Sequence, residues 1–259
     1  MTASPQPLAV ITGASGGLGR ELARIAAVRG YRLLLIARNQ AALDQLAQAL
    51  HTETGTLALD LAEPGSADRI SAWLSERNLV PEVLINNAGF GAYEEAAEMD
   101  EAAVRTMIRL NVTALTTLTL REARRMLEAG GGRIMNVAST AAFRPCPHAA
   151  LYGATKAYVL SFTEALAEEL RLSPVTVTAF CPGPMKTGFS AAAGMKNTAA
   201  FDKLAADPAV SAMAGFNAMM RGKAVACDTV RNRVLSFLPR LFPRSLVRRL
   251  TGEAIASAK

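Results

Sequence analysis

The chain has 259 residues, of which 51% are hydrophobic and 19% are charged. This composition suits a large α/β domain and excludes an intrinsically disordered chain. Three cysteines and two histidines match neither a disulfide framework nor a zinc motif, so we expect no metal site and a reducing, cytoplasmic environment.

Charge is distributed unevenly along the chain. From Arg221 to the end there are nine Lys or Arg and two Asp or Glu, a balance of +7, whereas the first 220 residues sum to −1. We therefore expect no nucleic-acid binding by the domain as a whole. No uncharged apolar run reaches the roughly 18 residues of a membrane-spanning helix, and the N-terminus shows no secretory signal.

Short apolar runs alternate with longer helical patterns. Gly30 is predicted to end the first helix, and Asp100 to cap a long helix from Glu101 to Glu128. The predicted strands are Leu8–Thr12, Arg32–Ala37, Thr56–Asp60, Val83–Asn86, Arg133–Ala138, Val175–Cys181 and Lys223–Cys227.

This alternation predicts an α/β fold, a single-domain Rossmann-type, doubly wound parallel sheet of seven strands with helices on both faces. We expect one domain over residues 1–259. Residues 184–222 show no strand pattern and are predicted to form a flexible helical insert on the substrate side. Residues 229–259 are predicted to form a basic helical tail.

A glycine-rich segment, AVITGASGGLGREL, follows the first predicted strand and opens a helix. Its glycines allow the backbone to turn sharply and approach a pyrophosphate at the positive end of the helix. An ordinary glycine-rich turn is the alternative interpretation. The predicted cofactor contacts here are Gly13, Ser15, Gly16, Gly17, Leu18 and Gly19.

The residues after the second strand favour NADP(H) over NAD(H). Dinucleotide folds that use NAD usually carry an acid at this point, whereas an arginine accommodates the 2′-phosphate of NADP. This chain has Arg38 and no acid before Asp44. A solvated strand-end cation is the alternative for Arg38. After the third strand, Asp60 is predicted either to accept a hydrogen bond from the adenine amino group or to cap the next helix.

These motifs together resemble the short-chain dehydrogenase/reductase family, in its NADP(H)-dependent branch. TGASGGLG (12–19) matches the family's cofactor turn, NNAG (86–89) its fourth-strand motif and CPGPMKT (181–187) its PG motif. The resemblance covers residues 8 to 190. Gly16 departs from the pattern, because a serine or basic residue is commoner there. The resemblance implies further cofactor contacts by Leu61, Asn87, Ala88, Gly89, Tyr152, Lys156, Pro182, Gly183 and Thr187.

The resemblance also implies a catalytic tetrad of Asn111, Ser139, Tyr152 and Lys156. A tyrosine has an ordinary pKa of about 10, and Lys156 lies one helical turn after Tyr152 on the same face. We expect its ammonium and the oxidised nicotinamide to stabilise the phenolate; lowering the pKa by about three units requires about 4 kcal/mol. Ser139 is expected to hold the substrate oxygen, and Asn111 to kink its helix and hold a water linked to Lys156.

The substrate pocket is expected to be apolar and adaptable. The sequence shows no pair of cations that would converge on the pocket, so we do not expect a carboxylate or phosphate substrate. The predicted lining is Ser139, Phe90, Tyr93, Phe143, His148 and Phe189, with Met185 and Met195 from the insert.

The segment RVLSFLPRLFPRSLVRRL in the tail mixes apolar side chains with five arginines. One interpretation is a membrane-surface contact. We favour packing on the domain or a second subunit, because Pro239 and Pro243 interrupt any long helix.

The predicted function is hydride transfer between NADP(H) and a ketone or secondary alcohol with an apolar body, with Tyr152 as general acid/base. The alternatives are an NAD-linked alcohol or 3-hydroxyacid dehydrogenase of the same family, and a non-catalytic redox-sensing dinucleotide-binding protein. We expect a homodimer or homotetramer.

Overall fold

The computed structural model describes residues 6–189, 193–194 and 205–256. The strands are β1 (Leu8–Thr12), β2 (Arg32–Ala37), β3 (Thr54–Ala58), β4 (Val83–Asn86), β5 (Gly132–Val137), β6 (Val175–Cys181) and β7 (Val225–Cys227). The α-helices are α1 (Gly17–Val28), α2 (Gln40–Ala49), α3 (Ser66–Glu76), α4 (Glu101–Ile108), α5 (Leu115–Glu128), α6 (Ala150–Glu169), α7 (Pro208–Met220), α8 (Val230–Phe237) and α9 (Arg244–Ala256).

Shorter helical segments complete the described chain. A π-helical segment, Arg109–Ala114, joins α4 to α5 without a break, and 3-10 turns form at Thr140–Phe143 and Leu238–Leu241. The Asp100 side chain accepts a hydrogen bond from the Ala103 N–H and caps α4 as predicted. Among the described residues, none of the helices combines the length and apolarity needed to cross a lipid bilayer.

All seven strands are parallel and pair in the order β3-β2-β1-β4-β5-β6-β7. In the centre of the sheet, Val10 pairs with Leu34 on one side and with Leu84 on the other. The strand order reverses between β1 and β4, and ligands of open α/β sheets bind outside the carboxyl ends of the strands at such a point. The predicted fold class is confirmed.

The core lies on both faces of this sheet, because successive strand residues point to opposite sides. Ala9 and Ile11 of β1 pack with buried residues of α1, α2 and α7. Leu8 and Val10 pack with buried residues of α3, α5 and α6 on the other face. The continuous apolar runs of the central strands therefore reflect burial on both sides.

Three strands, β3, β5 and β7, differ from their predicted bounds. The largest shift is in β3, which begins at Thr54 and ends at Ala58 instead of spanning Thr56–Asp60. The sequence prediction avoided Gly55 as a strand residue, yet a Cβ there would lie 2.9 Å from the Trp73 ring. Glycine is thus required within the strand by the close approach of α3. The shifts in the other two are smaller: β5 spans Gly132–Val137 instead of Arg133–Ala138, and β7 begins at Val225 instead of Lys223.

The predicted flexible insert over 184–222 includes a helix of the core. Ala212, Phe216 and Met219 of α7 are buried with α1, and the Phe216 ring meets the Tyr31 ring edge-on at 6.4 Å. Their apolar spacing, which we interpreted as part of an insert, reflects packing against the sheet. Residues 190–192 and 195–204, including Met195, lie outside the described residues.

Candidate active site

The turns after β1 and β4 are joined by hydrogen bonds at the point where the strand order reverses. Thr12 Oγ1 accepts hydrogen bonds from the backbone N–H groups of Asn87 and Ala88, each at 3.0 Å. The Asn87 side-chain amide donates to the carbonyl oxygens of Thr12 and Gly13, also at 3.0 Å. These bonds hold the glycine turn and the NNAG segment at a fixed separation.

The glycine turn leaves the N-terminus of α1 accessible. Gly13 and Gly17 have φ angles of +66° and +51°, a region that favours glycine. A Cβ at Gly19 would collide with the Gly13 carbonyl oxygen, so glycine is required for the close approach of α1. No side chain caps the helix at Gly16, and a Cβ there would meet nothing within 4 Å. The unbonded N–H groups of the first turn and this open space fit a pyrophosphate.

The other residues predicted to bind the adenosine half follow neighbouring strands. Arg38 follows β2 and is exposed, and no ion pair holds it among the described residues. Asp60 follows β3, and its side chain accepts a hydrogen bond from the Ala62 N–H at 2.9 Å, whereas α3 begins after Gly65. Asp60 therefore caps a turn rather than the helix. The Leu61 side chain is buried in the core, and Ser15 lies within the glycine turn.

A cavity of about 520 Å³ opens at the switch point. It brings together Ser139, Tyr152 and Lys156 with residues of the glycine turn, the NNAG segment and the PG segment. Those predicted cofactor residues on the cavity wall are Gly13, Gly16, Gly17, Leu18, Asn87, Ala88, Gly89, Pro182, Gly183 and Thr187. Residues predicted from separate motifs thus share one cavity, whereas Ser15, Gly19, Arg38, Asp60, Leu61 and Asn111 are not part of its wall.

Tyr152, in the cavity wall, has an aromatic ring and a cation close to its own ring. The Phe189 ring lies 5.8 Å away, and the Lys156 ammonium lies 5.9 Å from the ring centre. A Cβ at Gly91 would stand 2.8 Å from Tyr152 Cδ2. The ring position therefore depends on the absence of a side chain at Gly91.

Lys156 and Asn111 are buried behind the tyrosine. Lys156 Nζ donates to the Val137 carbonyl oxygen at 2.7 Å. Asn111 lies in the π-helical segment, and its amide donates to the Phe90 carbonyl oxygen and to Thr155 Oγ1. Single π-helical turns of this kind widen a helix and occur frequently at functional sites. Asn111 therefore anchors the backbone that follows NNAG.

Burial determines the protonation of Tyr152 and Lys156. Desolvation raises the pKa of Tyr152 above its ordinary value, Tyr93 and Cys146 raise it further, and a hydrogen bond with Ser139 lowers it. Desolvation also lowers the pKa of Lys156 to about 8. For the protein alone, desolvation of the phenol is the largest influence on its pKa, and the lowering expected from Lys156 together with a bound oxidised nicotinamide stays a prediction.

Ser139, which follows β5, has two hydrogen-bonding partners. Its Oγ accepts from the Ala141 N–H at 3.1 Å, which caps the following 3-10 turn. It also hydrogen-bonds Tyr152. The side chains of Ser139 and Tyr152 are therefore within reach of one oxygen atom in the cavity.

The predicted substrate residues divide into two groups. Tyr93 and Phe189 line the cavity, as do Met185, Cys146 and Arg144. Phe90, Phe143 and His148 do not. Phe143 packs in a core cluster, and His148 Nδ1 bonds Glu95 Oε1 at 2.5 Å. Phe90 is held through its backbone by Asn111. Phe143 and His148 thus have side-chain partners outside the cavity, and none of the three residues belongs to the wall that the described residues form, which corrects their assignment.

Three residues of the site were not predicted from the sequence. Thr12 and Gly91 act through contacts that only the folded chain shows. The third, Asp228, accepts hydrogen bonds from the Gly183 N–H at 3.3 Å, Ser211 Oγ at 3.0 Å and Asn232 Nδ2 at 2.7 Å. It fixes the PG segment to α7 and α8. The position of Asp228 just before a helix predicts no more than a cap.

Comparison with known proteins identifies the family. The family model described as short chain dehydrogenase matches residues 7–198. The chain belongs to the short-chain dehydrogenase family. This short-chain dehydrogenase is 33% identical over 196 residues to a putative ketoacyl reductase of Streptomyces coelicolor, covering 74% of the chain and 75% of the relative.

Two solved structures extend the similarity. A short-chain dehydrogenase from Sphingobium yanoikuyae in complex with NADPH is 30% identical, with a TM-score of 0.80 over 90% of this chain and 94% of that chain. A 3-ketoacyl-(acyl-carrier-protein) reductase from Brucella melitensis complexed with NADH is 28% identical, with a TM-score of 0.77 over 85% and 95%. The chain is an oxidoreductase of this family with a nicotinamide dinucleotide cofactor.

Replacing Gly91 by alanine tests the packing of Tyr152. The added methyl group would overlap the ring, so we expect Gly91→Ala to displace the hydroxyl and reduce turnover at least about tenfold, since small misplacements of reacting groups are costly. Dinucleotide binding, followed by fluorescence, should change little because the glycine turn is untouched. Turnover within twofold of the native protein would contradict the contact.

Proposed function

We propose that the protein is an NADP(H)-dependent reductase of ketones with an apolar body, with Tyr152 as the proton donor. The observation that carries the proposal is the shared cavity, in which Tyr152, Ser139 and Lys156 adjoin the glycine turn. A dinucleotide bound along this turn supplies the hydride. The protein must then hold the carbonyl oxygen and deliver one proton to it.

The buried phenol suits the direction of reduction. Burial raises its pKa, so Tyr152 is neutral at physiological pH and carries the proton that a reduced carbonyl needs. Ser139 supports the same oxygen by hydrogen bonding. Lys156 shares the cavity and stabilises negative charge on the tyrosine oxygen as the proton leaves.

The preference for NADP(H) is supported by the exposed Arg38 after β2. Asn39 caps α2 through its side chain, and the first acid, Asp44, is hydrogen-bonded to Gln40 and Thr56. No carboxylate directly follows the strand to hold a ribose 2′-hydroxyl, whereas a guanidinium binds a 2′-phosphate. The Sphingobium relative is complexed with NADPH and the Brucella relative with NADH, so the preference proposed here is argued from Arg38.

The substrate class is supported by the cavity wall. Tyr93, Met185 and Phe189 contribute apolar surface to the wall, and among the described residues Arg144 is its one cation outside the tetrad. The Streptomyces relative is named a putative ketoacyl reductase. Assays of NADPH oxidation with aliphatic, aromatic, acyl-thioester and steroid ketones would identify the preferred class.

Replacing Tyr152 by phenylalanine tests the proton donor. We expect Tyr152→Phe to reduce turnover by about two to four orders of magnitude, the usual contribution of general acid catalysis, while NADPH binding persists. Tyr158→Phe is the matched control, because Tyr158 is an exposed tyrosine on the same helix and should leave turnover unchanged. Turnover by Tyr152→Phe near the native rate would overturn the assignment.

Charge reversal at Arg38 tests the cofactor preference. We expect the native protein to bind NADPH more tightly than NADH, and Arg38→Asp to weaken NADPH binding about 10- to 100-fold, the range for hydrogen bonds to charged groups. Arg171→Asp, beyond the far end of α6, is the control. Titration with both reduced cofactors provides the measurement, and tighter binding of NADH by the native protein would refute the argument from Arg38.

A further inference from the structure

Helix α8, the first helix of the basic tail, turns its polar side toward the domain. Asn232 and Ser236, one turn apart, are buried, and Asn232 hydrogen-bonds Asp228. Val230, Val234 and Phe237 on the same helix are exposed. A helix that packs on its own domain normally buries the apolar side, so α8 has the reverse arrangement.

The exposed apolar side chains continue past α8. Val230, Val234, Phe237 and Leu241 recur at helical spacing, and Val230 and Leu241 are 71% and 64% exposed. Clusters of exposed large apolar side chains indicate an interaction surface. We name this surface the tail patch; its exposed members are Val230, Val234, Leu235, Phe237, Leu238, Leu241, Phe242, Leu246 and Leu250.

Arginines accompany the tail patch. Between residues 229 and 253 there are six arginines and one acid, Glu253, which pairs with Arg249 at 3.1 Å. The exposed arginines are Arg231, Arg233, Arg240, Arg244, Arg248 and Arg249. A second copy of the chain placed symmetrically on this surface would bring like charges together, whereas anionic lipid headgroups attract them.

We propose that the tail patch docks the protein on the surface of an anionic lipid bilayer. Its apolar side chains enter the interfacial region, and its arginines bind lipid phosphates. The sequence favoured packing of the tail on the domain, and the buried side chains of Asn232, Ser236 and Thr251 agree with such packing. The apolar side chains of the tail patch stay exposed and are free to contact the bilayer.

Tail residues beside the tail patch contact the loop that contributes residues to the cavity wall. The Arg240 guanidinium lies 5.8 Å from the Phe143 ring, and a Cβ at Gly252 would lie 3.3 Å from Pro147. The same loop contributes Arg144 and Cys146 to the cavity. Docking therefore brings the cavity wall near the bilayer, from which an apolar ketone could enter. This consequence alone depends on the proposed function.

Vesicle sedimentation of the full chain tests the docking independently of turnover. We expect binding to vesicles of equal parts phosphatidylcholine and phosphatidylglycerol, weak binding to pure phosphatidylcholine, and loss of binding at high salt. Phe237→Ser with Leu241→Ser should weaken binding at least about tenfold by removing apolar area. Arg244→Gln and Arg248→Gln should weaken it about fivefold each.

The control is Leu172→Ser, because Leu172 is equally apolar and 87% exposed outside the tail patch. Its binding should equal that of the native protein, and unchanged thermal unfolding would show that every variant is folded. No binding to anionic vesicles, or equal binding by all variants, would overturn the proposal. So would a dimer in sedimentation velocity that Phe237→Ser with Leu241→Ser dissociates, since a second copy would then cover the tail patch.

Discussion

In the proposed mechanism the chemistry of the site depends on the burial of Tyr152 together with Lys156, because burial penalises the charged form of each side chain. It raises the pKa of the phenol and lowers that of the lysine to about 8. The tyrosine thus retains its proton near neutral pH, while the lysine still carries positive charge. A neutral acid beside a cation is the arrangement needed to protonate a carbonyl oxygen and to stabilise the anion left behind.

The surrounding fold maintains this burial through close backbone contacts. Gly91 admits the tyrosine ring, and Asn111 in the π-helical segment ties α4 and α5 to the backbone after NNAG. Thr12 joins the NNAG segment to the glycine turn. The glycine turn and Tyr152, the proposed proton donor, are therefore positioned by one connected set of hydrogen bonds and contacts.

The parallel sheet could be predicted from the sequence because apolar strands and helical patterns alternate regularly. The cavity-lining motifs were also predictable, the glycine turn and the Tyr-x-x-x-Lys spacing from local geometry, and the NNAG and PG motifs and the tetrad from the family resemblance. The direction in which the Tyr152 pKa shifts could not be predicted, because desolvation depends on the whole fold around Tyr93 and Cys146. Composition likewise could not show that α7 belongs to the core or that α8 faces inward through Asn232.

Titration of the Tyr152 phenol tests the central claim most directly. Carbon-13 labelling of the tyrosine ring carbon bonded to oxygen, with Tyr152→Phe to assign its signal, reports ionisation by nuclear magnetic resonance. The account predicts that this signal remains that of a neutral phenol past the ordinary tyrosine pKa of about 10 in protein without added dinucleotide. Ionisation of Tyr152 near neutral pH would contradict it, because the lysine would then outweigh burial.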